Sequence, residues 1–248
     1  MKAMILAAGL GTRLGALTRD VPKALVPLSG IPLLEILILR LKHYGFNEIT
    51  INIHHYGQKI IDFLKNRNDF GMKINISDER DRLLDTGGAI KKAMHLLGDE
   101  EPVLIHNVDV ISSLDPIALM GYHLHSGALA TLCVQERSSS RYLFFDSNDL
   151  LCGWRNQESG EAKGMTSLKQ RAFSGIHVIG PHFFEKVSRH GCFPEKTDVF
   201  PVIDVYLCLA ASEKVLGFDH TGEPWADIGK SLQLKAVEEW MKKERRTE

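Results

Sequence analysis

Two glycines and two cationic residues near the N-terminus have the types and the spacing of a phosphate-binding loop. Residues 6–14 read LAAGLGTRL, and a Pro-Lys pair ends ten residues after the arginine. Glycine allows backbone N–H groups to approach phosphate oxygens closely. The planar fork of an arginine can bind two such oxygens, and a lysine adds a mobile point charge. The residues predicted to bind a nucleotide here are Ala8, Gly9, Gly11, Thr12, Arg13 and Lys23.

Other kinds of glycine loop fit this segment less well. A P-loop requires the pattern G-x-x-x-x-G-K-[ST], which is absent. A dinucleotide site requires G-x-G-x-x-G and an acidic residue after the second strand. Here the third glycine is displaced to Gly15, and His54 and His55 follow the predicted second strand. A solvated turn would need neither two glycines nor a distant Pro-Lys pair, so a polyphosphate site is favoured over a solvated turn. The missing acidic residue also disfavours a dinucleotide-dependent oxidoreductase.

Two aspartates are candidate ligands for a divalent cation. Asp109 follows the apolar run at 103–105 after Asn107 and Val108, and Asp227 lies in the segment WADIG. The carboxyl ends of parallel strands form the ligand-binding edge of an α/β sheet, which favours a functional role for Asp109. Mg²⁺ usually takes one or two carboxylates together with phosphate oxygens and water. A structural alternative exists for each residue, because Asp109 could cap a loop and Asp227 could cap the last helix.

A second small-residue segment, Thr86-Gly87-Gly88, stands at the start of a predicted helix. Free N–H groups at a helix N-terminus can hold an anion, and small side chains let a flat base lie against the backbone. We therefore predict that these three residues contact the nucleotide. The alternative is an ordinary capped helix start.

The hydrophobic pattern predicts an α/β fold in which strands and helices alternate through the first half. After Gly127 the pattern becomes richer in strands. We expect a Rossmann-like, mixed and mostly parallel sheet flanked by helices, with a strand-rich insertion in the second half. The predicted strands are at 4–8, 48–53, 72–76, 103–105, 128–135, 142–145, 150–154, 173–179 and 214–218. The predicted helices are at 32–41, 60–64, 89–97, from 116, at 181–187, 199–211 and 231–243.

Composition excludes several classes of protein. The 248 residues are 44% hydrophobic and 25% charged, which is ordinary for a globular chain, and the formal net charge is −1. A near-neutral charge is against a general nucleic-acid binder. No apolar run reaches the length of a membrane span, and a cytoplasmic location is expected. The four cysteines are scattered without a C-x-x-C pair, so they are expected to be buried thiols, with no disulfide and no zinc site.

The segment GLGTRL followed by Pro22-Lys23 resembles the signature of the sugar-1-phosphate nucleotidyltransferases. Three further segments are similar to family motifs along most of the chain. Residues 85–90 (DTGGAI) resemble the loop near the base and the sugar, residues 107–109 (NVD) the metal-binding strand end, and residues 225–229 (WADIG) the second metal aspartate.

The resemblance implies transfer of a nucleotidyl group from an NTP to a sugar 1-phosphate, with release of pyrophosphate. Mg²⁺ would be held by Asp109 and Asp227. Arg13 and Lys23 would be the catalytic cations: Arg13 would hold the departing pyrophosphate, and Lys23 would bridge the α-phosphate and the sugar phosphate. Neither is expected to be buried in a core. Residues 1–248 would form one domain, with a nucleotide-binding part at 1–127 and a sugar-binding part with the C-terminal helix at 128–248.

Within the family, several features are most similar to uridylyltransferases of the cell-wall sugar N-acetylmuramate 1-phosphate. They are the short length, the Thr-Gly-Gly loop, the segment FSGI at 173–176 and the tryptophan before the last aspartate. UTP is therefore favoured. The alternatives are a mannose- or heptose-1-phosphate guanylyltransferase, which uses GTP, and a catalytically silent nucleotide-binding regulator. The resemblance says nothing about oligomeric state.

The chain departs from the family at the sugar phosphate. Many members carry Glu-Lys-Pro in the second half, with the lysine on the sugar phosphate, whereas residues 161–164 here read EAKG. Lys163 is the nearest equivalent and is predicted to bind the sugar phosphate together with Lys23. Arg141 and Arg171 are other cations of the insertion.

Overall fold

The computed structural model describes residues 1–229 and Val237, without the side chains of Arg13 and Ala16. Its fourteen strands are β1 (Lys2–Leu6), β2 (Pro27–Leu28), β3 (Ile31–Pro32), β4 (Glu48–Ile53), β5 (Lys73–Asp78), β6 (Val103–Asn107), β7 (Val110–Ser112), β8 (Ala130–Gln135), β9 (Arg141–Phe145), β10 (Leu151–Asn156), β11 (Ala162–Gly164), β12 (Lys169–Ile179), β13 (Val215–Asp219) and β14 (Trp225–Asp227). Its α-helices are α1 (Leu33–His43), α2 (Gly57–Asn66), α3 (Asp85–Leu97), α4 (Pro116–Ser126), α5 (Phe183–Arg189) and α6 (Val202–Leu209).

One mixed sheet of ten strands runs through both halves of the described chain. Its path is β11-β10-β9-β12-β6-β1-β4-β5, and β8 joins it through β12 and carries β13 on its other side. The first-half strands β5, β4, β1 and β6 are parallel, and so are β8 and β13. The long strand β12 pairs antiparallel with β6, β8 and β9. The predicted α/β class with a strand-rich second half is confirmed.

The helices cover both faces of this sheet. One apolar cluster contains residues of α3, α5 and α6, and a second contains residues of α1, α2 and α4. Strand β4 shows the burial that is typical of a parallel strand. Five of its six residues are buried, as expected for a strand covered on both faces. In the described part of the chain no helix has both the length and the apolar character needed to cross a membrane.

The predicted element types hold, and their boundaries shift for local reasons. Strand β1 ends at Leu6, two residues earlier than predicted, because the Ala7 N–H donates to Asn52 Oδ1 at 2.6 Å. Helix α6 begins at Val202 instead of residue 199, since Pro201 is extended with ψ 145°. The predicted helix at 231–243 lies outside the described residues except for buried Val237, which packs with Leu14 and Ile228.

Two short strands that the sequence pattern did not predict complete the site edge. Strands β7 and β14 form an antiparallel pair in which Asp227 is opposite Val110. The Ile228 N–H also donates to Asp109 O at 2.7 Å. The pairing therefore places the two predicted metal aspartates side by side, although they are far apart in sequence.

The expectation of four free thiols is wrong. Cys192, after α5, forms a disulfide with Cys208 of α6, and their Cα atoms are 5.6 Å apart. The pair has no C-x-x-C spacing, so only the packing of α5 against α6 reveals it. The other two cysteines, Cys133 and Cys152, are free.

We expect the denatured, unreduced protein to contain two titratable thiols, and four after reduction. Thiol titration in guanidinium with and without reductant measures this directly. Before reduction, the variant Cys133→Ser should retain one thiol and Cys208→Ser should have three, because the latter frees Cys192. Four thiols before reduction would contradict the assigned pair.

Four buried histidines make the fold sensitive to acid. Burial lowers the pKa to about 4 for His106, His123 and His220, and to about 3 for His177. Neither ring nitrogen of His177 has a hydrogen-bond partner among the described residues. All four rings are therefore neutral in the folded chain, whereas the unfolded chain binds protons below about pH 6.5. Folding stability is thus present above pH 6.5 and is lost as the pH falls toward 4.

The variant His177→Phe tests this sign. Below pH 6.5 the unfolded chain is protonated at each of these histidines. Each one then lowers the free energy of unfolding by about 1.4 kcal/mol for every unit by which the pH falls. Removing one should make the pH dependence shallower by about that amount between pH 5.5 and 4.5. Denaturant unfolding of both proteins at several pH values measures it, with pH 7.5 as the internal reference. Identical pH dependence in the two proteins would contradict a neutral, buried His177.

Candidate active site

The glycine loop follows β1 and presents unused backbone donors. Gly9, Leu10 and Gly11 donate no backbone hydrogen bond to another described residue. The loop is closed at Gly11, whose carbonyl accepts from Leu14 N at 2.9 Å and from Thr18 Oγ1 at 3.0 Å. Gly11 has φ +66°, and a Cβ there would lie 2.8 Å from Thr18 Cγ2. A residue without a side chain is therefore required at the turn that exposes these N–H groups.

A buried ion cluster lies beside the loop. Lys23 forms an ion pair through Nζ with Asp109 Oδ2, and its Nζ is 4.0 Å from Asp227 Oδ1. The Lys23 side chain is 8% exposed, against 18% for Asp109 and 33% for Asp227. The expectation that Lys23 is not buried is wrong, because the turn Lys23–Leu25 packs beneath α1 and carries the lysine under the loop. Three residues predicted from the sequence to serve one site therefore lie together.

The carboxylates of this cluster fit a hard divalent cation. Asp109 and Asp227 both approach a single cationic group, the Lys23 ammonium, so one charge can be shared between them. Among the described residues, no three His, Cys, Asp or Glu side chains come together as a metal site. A cation here would complete its coordination with phosphate oxygens and water, as Mg²⁺ does.

Three cavities meet at Asp109. One of about 240 Å³ is lined by the loop residues Gly9, Gly11 and Thr12 together with Lys23. A second, of about 400 Å³, lies between the loop and the start of α3. A third, of about 500 Å³, opens over the strand-rich second half and includes both aspartates. Asp109 lines all three, so groups bound in them would approach one another there.

The second cavity contains a buried polar bridge that sequence reasoning missed. Asn52 accepts from Ala7 N at 2.6 Å and donates through Nδ2 to Glu79 Oε1 at 2.8 Å. Glu79 Oε2 accepts from Leu84 N at 3.3 Å, and burial raises the pKa of Glu79. The bridge ties the end of β1 to the loop before α3. Its signal in the sequence is an amide side chain, Asn52, near the end of the mostly apolar strand ITINI.

The Thr-Gly-Gly segment is placed differently from expectation. Gly87 and Gly88 both donate to Phe200 O, at 2.9 and 3.3 Å, so their N–H groups are not free for a ligand. A Cβ on Gly88 would lie 2.0 Å from Asp198 O, and one on Gly87 would lie 2.5 Å from Phe200 Cδ2. Of the three residues, Thr86 lines the second cavity. The glycines are required by the close approach of the segment before α6.

The remaining predicted site residues are placed as follows. Ala8 and Gly9 line the second cavity. Arg13 lies in the short helical segment Thr12–Thr18, after the glycine loop. Lys163, on β11, does not line any of the three cavities; it donates to Asp204 Oδ1 at 2.8 Å and lies 3.7 Å from Glu161 Oε1. Arg171 is paired with Asp219 at 3.0 Å, whereas Arg141 lines the third cavity.

The third cavity is bounded by a stacked arginine that the sequence analysis did not single out. The Arg137 guanidinium lies 3.8 Å from the Trp225 ring centroid and donates to Phe173 O at 2.8 Å. Burial lowers the pKa of Arg137, although the nearby Asp227 opposes that effect. The Trp225 indole in turn donates to Ser174 O at 2.9 Å. The contacts hold a cation next to the aspartate edge.

Comparison with known proteins agrees with this geometry. Residues 2–145 match the family model described as nucleotidyl transferase. The chain belongs to this family. An N-acetylmuramate alpha-1-phosphate uridylyltransferase of Caulobacter vibrioides is 31% identical, over 94% of this chain and 96% of that protein. A protein of the same name from Neisseria meningitidis serogroup B is also 31% identical, over 96% and 97%.

A solved structure shares the fold. The inositol-1-phosphate CTP transferase from T. maritima superposes with a TM-score of 0.76 and covers 98% of this chain and 95% of its own, at 19% identity. The likeness in fold spans both the glycine loop and the strand-rich second half of this nucleotidyl transferase.

A matched pair of glycine variants tests the packing of the Thr-Gly-Gly segment. Gly88→Ala should lower the melting temperature by several degrees, because the new Cβ must displace the Asp198 backbone. Gly121→Ala, also within a helix but with no atom within 4 Å of its Cβ position, should be neutral or stabilising by up to about 1 kcal/mol. Thermal unfolding of both variants measures the difference. Equal melting temperatures would show that the segment before α6 does not press on Gly88.

Proposed function

We propose that this nucleotidyl transferase joins a nucleoside monophosphate from an NTP to a sugar 1-phosphate and releases pyrophosphate. The proposed substrates are UTP and an N-acetylmuramate-like sugar 1-phosphate, in line with the relatives described above. The observation that carries the proposal is the position of Asp109, with Lys23, where three cavities meet. The reaction needs such a junction, because it brings a triphosphate and a sugar phosphate together.

The chemistry requires no general base. An oxygen of the sugar phosphate, already an anion, forms a bond to the α-phosphorus, and the bond from the α-phosphorus to the bridging oxygen breaks. The electron pair leaves with pyrophosphate. Catalysis then consists of positioning and of stabilising negative charge, as in other phosphoryl-group transfers.

The loop residues receive roles from their contacts. The unused N–H groups of Gly9, Leu10 and Gly11 would bind polyphosphate oxygens, and Arg13 would hold the departing pyrophosphate. Lys23, buried beside the loop, would neutralise the α-phosphate and the sugar phosphate. Asn52 and Glu79 position the loop without contacting phosphate, since their polar atoms already bind Ala7, Leu84 and each other.

Asp109 and Asp227 would hold Mg²⁺. When bound, the ion would offset phosphate charge that the protein cations leave unbalanced. With two carboxylates on one side, the site repels phosphate until a cation is present, so we expect a strict requirement for a divalent cation. The nucleotide would occupy the part at 1–127 and the sugar the part at 128–248, within one domain.

Arg137 is the proposed ligand of the sugar phosphate, in the place that Lys163 was predicted to fill. Lys163 is already paired with Asp204, whereas Arg137 lines the third cavity and is stacked beside the segment that carries Asp227.

Because the reaction consumes NTPs, we propose a cytoplasmic location. A disulfide such as Cys192–Cys208 is uncommon in that compartment.

Pyrophosphate release across the four NTPs and several sugar 1-phosphates tests the proposal. We expect UTP with N-acetylmuramate 1-phosphate to be the most efficient pair. Preference for GTP with mannose or heptose 1-phosphate would assign the guanylyl alternative. Nucleotide binding without pyrophosphate release from any pair would indicate a silent regulator.

Isosteric changes at the aspartates test the metal site. Asp109→Asn and Asp227→Asn should each lower kcat by about 10²-fold or more, as for loss of a major electrostatic stabiliser. The control Asp149→Asn also removes a carboxylate paired with a lysine, Lys169, but on the surface, and should keep full activity. Rates measured against Mg²⁺ concentration check this. Wild-type turnover of either site variant at limiting Mg²⁺ would remove that residue from the metal site.

A further inference from the structure

The third cavity has an aromatic wall and a cationic corner. Its apolar wall includes Trp154, Phe173 and Trp225, which suits the face of a pyranose ring. The corner is the turn from Arg137 into β9. Its residues that line the cavity are Arg137, Ser139, Ser140, Arg141 and Tyr142.

The backbone of this corner is fixed by its own hydrogen bonds. Ser139 N donates to Tyr142 Oη at 2.9 Å, and Arg141 N donates to Ser139 Oγ at 3.3 Å. Gln157 N, after β10, donates to Ser140 O at 2.8 Å. The turn is therefore held against β10, with two hydroxyl-bearing residues between two arginines.

Arg141 differs from the neighbouring cations of the strand-rich half. Lys163, Lys169 and Arg171 are each paired with an aspartate, at 2.8, 3.3 and 3.0 Å. Within the described residues, Arg141 has no carboxylate partner and makes no side-chain hydrogen bond. Its side chain is exposed and lines a cavity of about 500 Å³, so its charge is available to an anionic ligand bound there.

The two arginines of the corner serve different ends of the cavity. Arg137 stacks on Trp225, two residues from Asp227, which places it beside the phosphates. Arg141 begins β9 and is opposite Asn156 of β10, on strands that bear none of the proposed catalytic residues. A sugar 1-phosphate whose only anion is its phosphate would leave Arg141 without a counter-charge.

We propose that Arg141, with the Ser139 and Ser140 hydroxyls, binds a carboxylate on the sugar, so that the acceptor is an acidic sugar 1-phosphate. The inference rests on the proposed function and adds a residue that determines acceptor specificity. Guanidinium binds carboxylate through two parallel hydrogen bonds, and an adjacent serine hydroxyl can donate a third.

Two acceptors that differ only in the carboxylate-bearing group provide the test. N-acetylmuramate 1-phosphate carries a lactyl ether that N-acetylglucosamine 1-phosphate lacks. We expect the parent enzyme to prefer the lactyl sugar. Arg141→Gln should lower kcat/KM for that sugar by about 10- to 100-fold, the range of a charge-assisted hydrogen bond, and leave the other sugar within about twofold. Arg141→Lys should restore part of the preference.

Two matched variants separate this role from others. Arg155→Gln changes an arginine of the adjacent strand β10 that does not line the cavity and donates to Thr166, so it should leave the ratio of the two acceptors unchanged. Arg137→Gln should weaken both acceptors equally, because it acts on the shared phosphate. Equal loss of both acceptors in Arg141→Gln, or no loss, would overturn the assignment to a carboxylate.

Calorimetric binding of each sugar 1-phosphate without NTP keeps this inference distinct from the proposed reaction. Tighter binding of N-acetylmuramate 1-phosphate by the parent, lost in Arg141→Gln, would support the carboxylate site even if no pyrophosphate were released. Equal binding of the two sugars by the parent would overturn it. Pyrophosphate release with both sugars at equal efficiency would leave the proposed function in place and exclude this specificity.

Discussion

The buried ammonium of Lys23 is the charge around which the site is assembled. A lysine removed from water is strongly destabilising unless carboxylates surround it. Asp109 supplies one at the end of β6, and Asp227 supplies another on β14. Since the two strands come from opposite halves of the chain, the ion cluster forms only when both halves have folded. The same requirement that stabilises the lysine therefore brings the two carboxylates together at the edge where the glycine loop ends.

The cluster also explains how one site can accept two polyanions. The unused N–H groups of the loop lie on one side of Asp109, and Arg137 lies on the other side. Among the described residues that line these two cavities, the only carboxylates are those of Asp109 and Asp227. A divalent cation on those aspartates would convert the one anionic patch into a cationic one. Substrate binding and metal binding are thus expected to be coupled.

The sequence allowed prediction of those features that depend on local pattern. Strand β4 was predicted over its full length because β-branched residues mark a strand covered on both faces. The glycine loop was recognisable because its function needs particular residue types at fixed spacing. Long-range packing was not predictable in the same way. The burial of Gly88 depends on Asp198, more than a hundred residues later, and the three-residue strand β14 is too short for a periodic signal.

The same limit applies to the glycines at 87 and 88. A small residue can mark either a ligand or another segment of chain, since both require close approach to the backbone. The distinction lies in where the N–H groups point: those of Gly9 to Gly11 are unused, and those of Gly87 and Gly88 bind Phe200 O.

Strand β14 connects the chemistry of the two halves. Trp225 binds Ser174 of β12 and supports Arg137, and two residues later Asp227 reaches Lys23. Ser174 is itself fixed by His220, whose Nε2 lies 2.8 Å from Ser174 Oγ. A sugar bound against Trp225 would therefore contact the same short strand that carries Asp227, a proposed metal ligand. The proposed acceptor and metal positions would then be linked by a segment of three residues, so that the second half could select the acceptor while the reaction takes place at the edge of the first half.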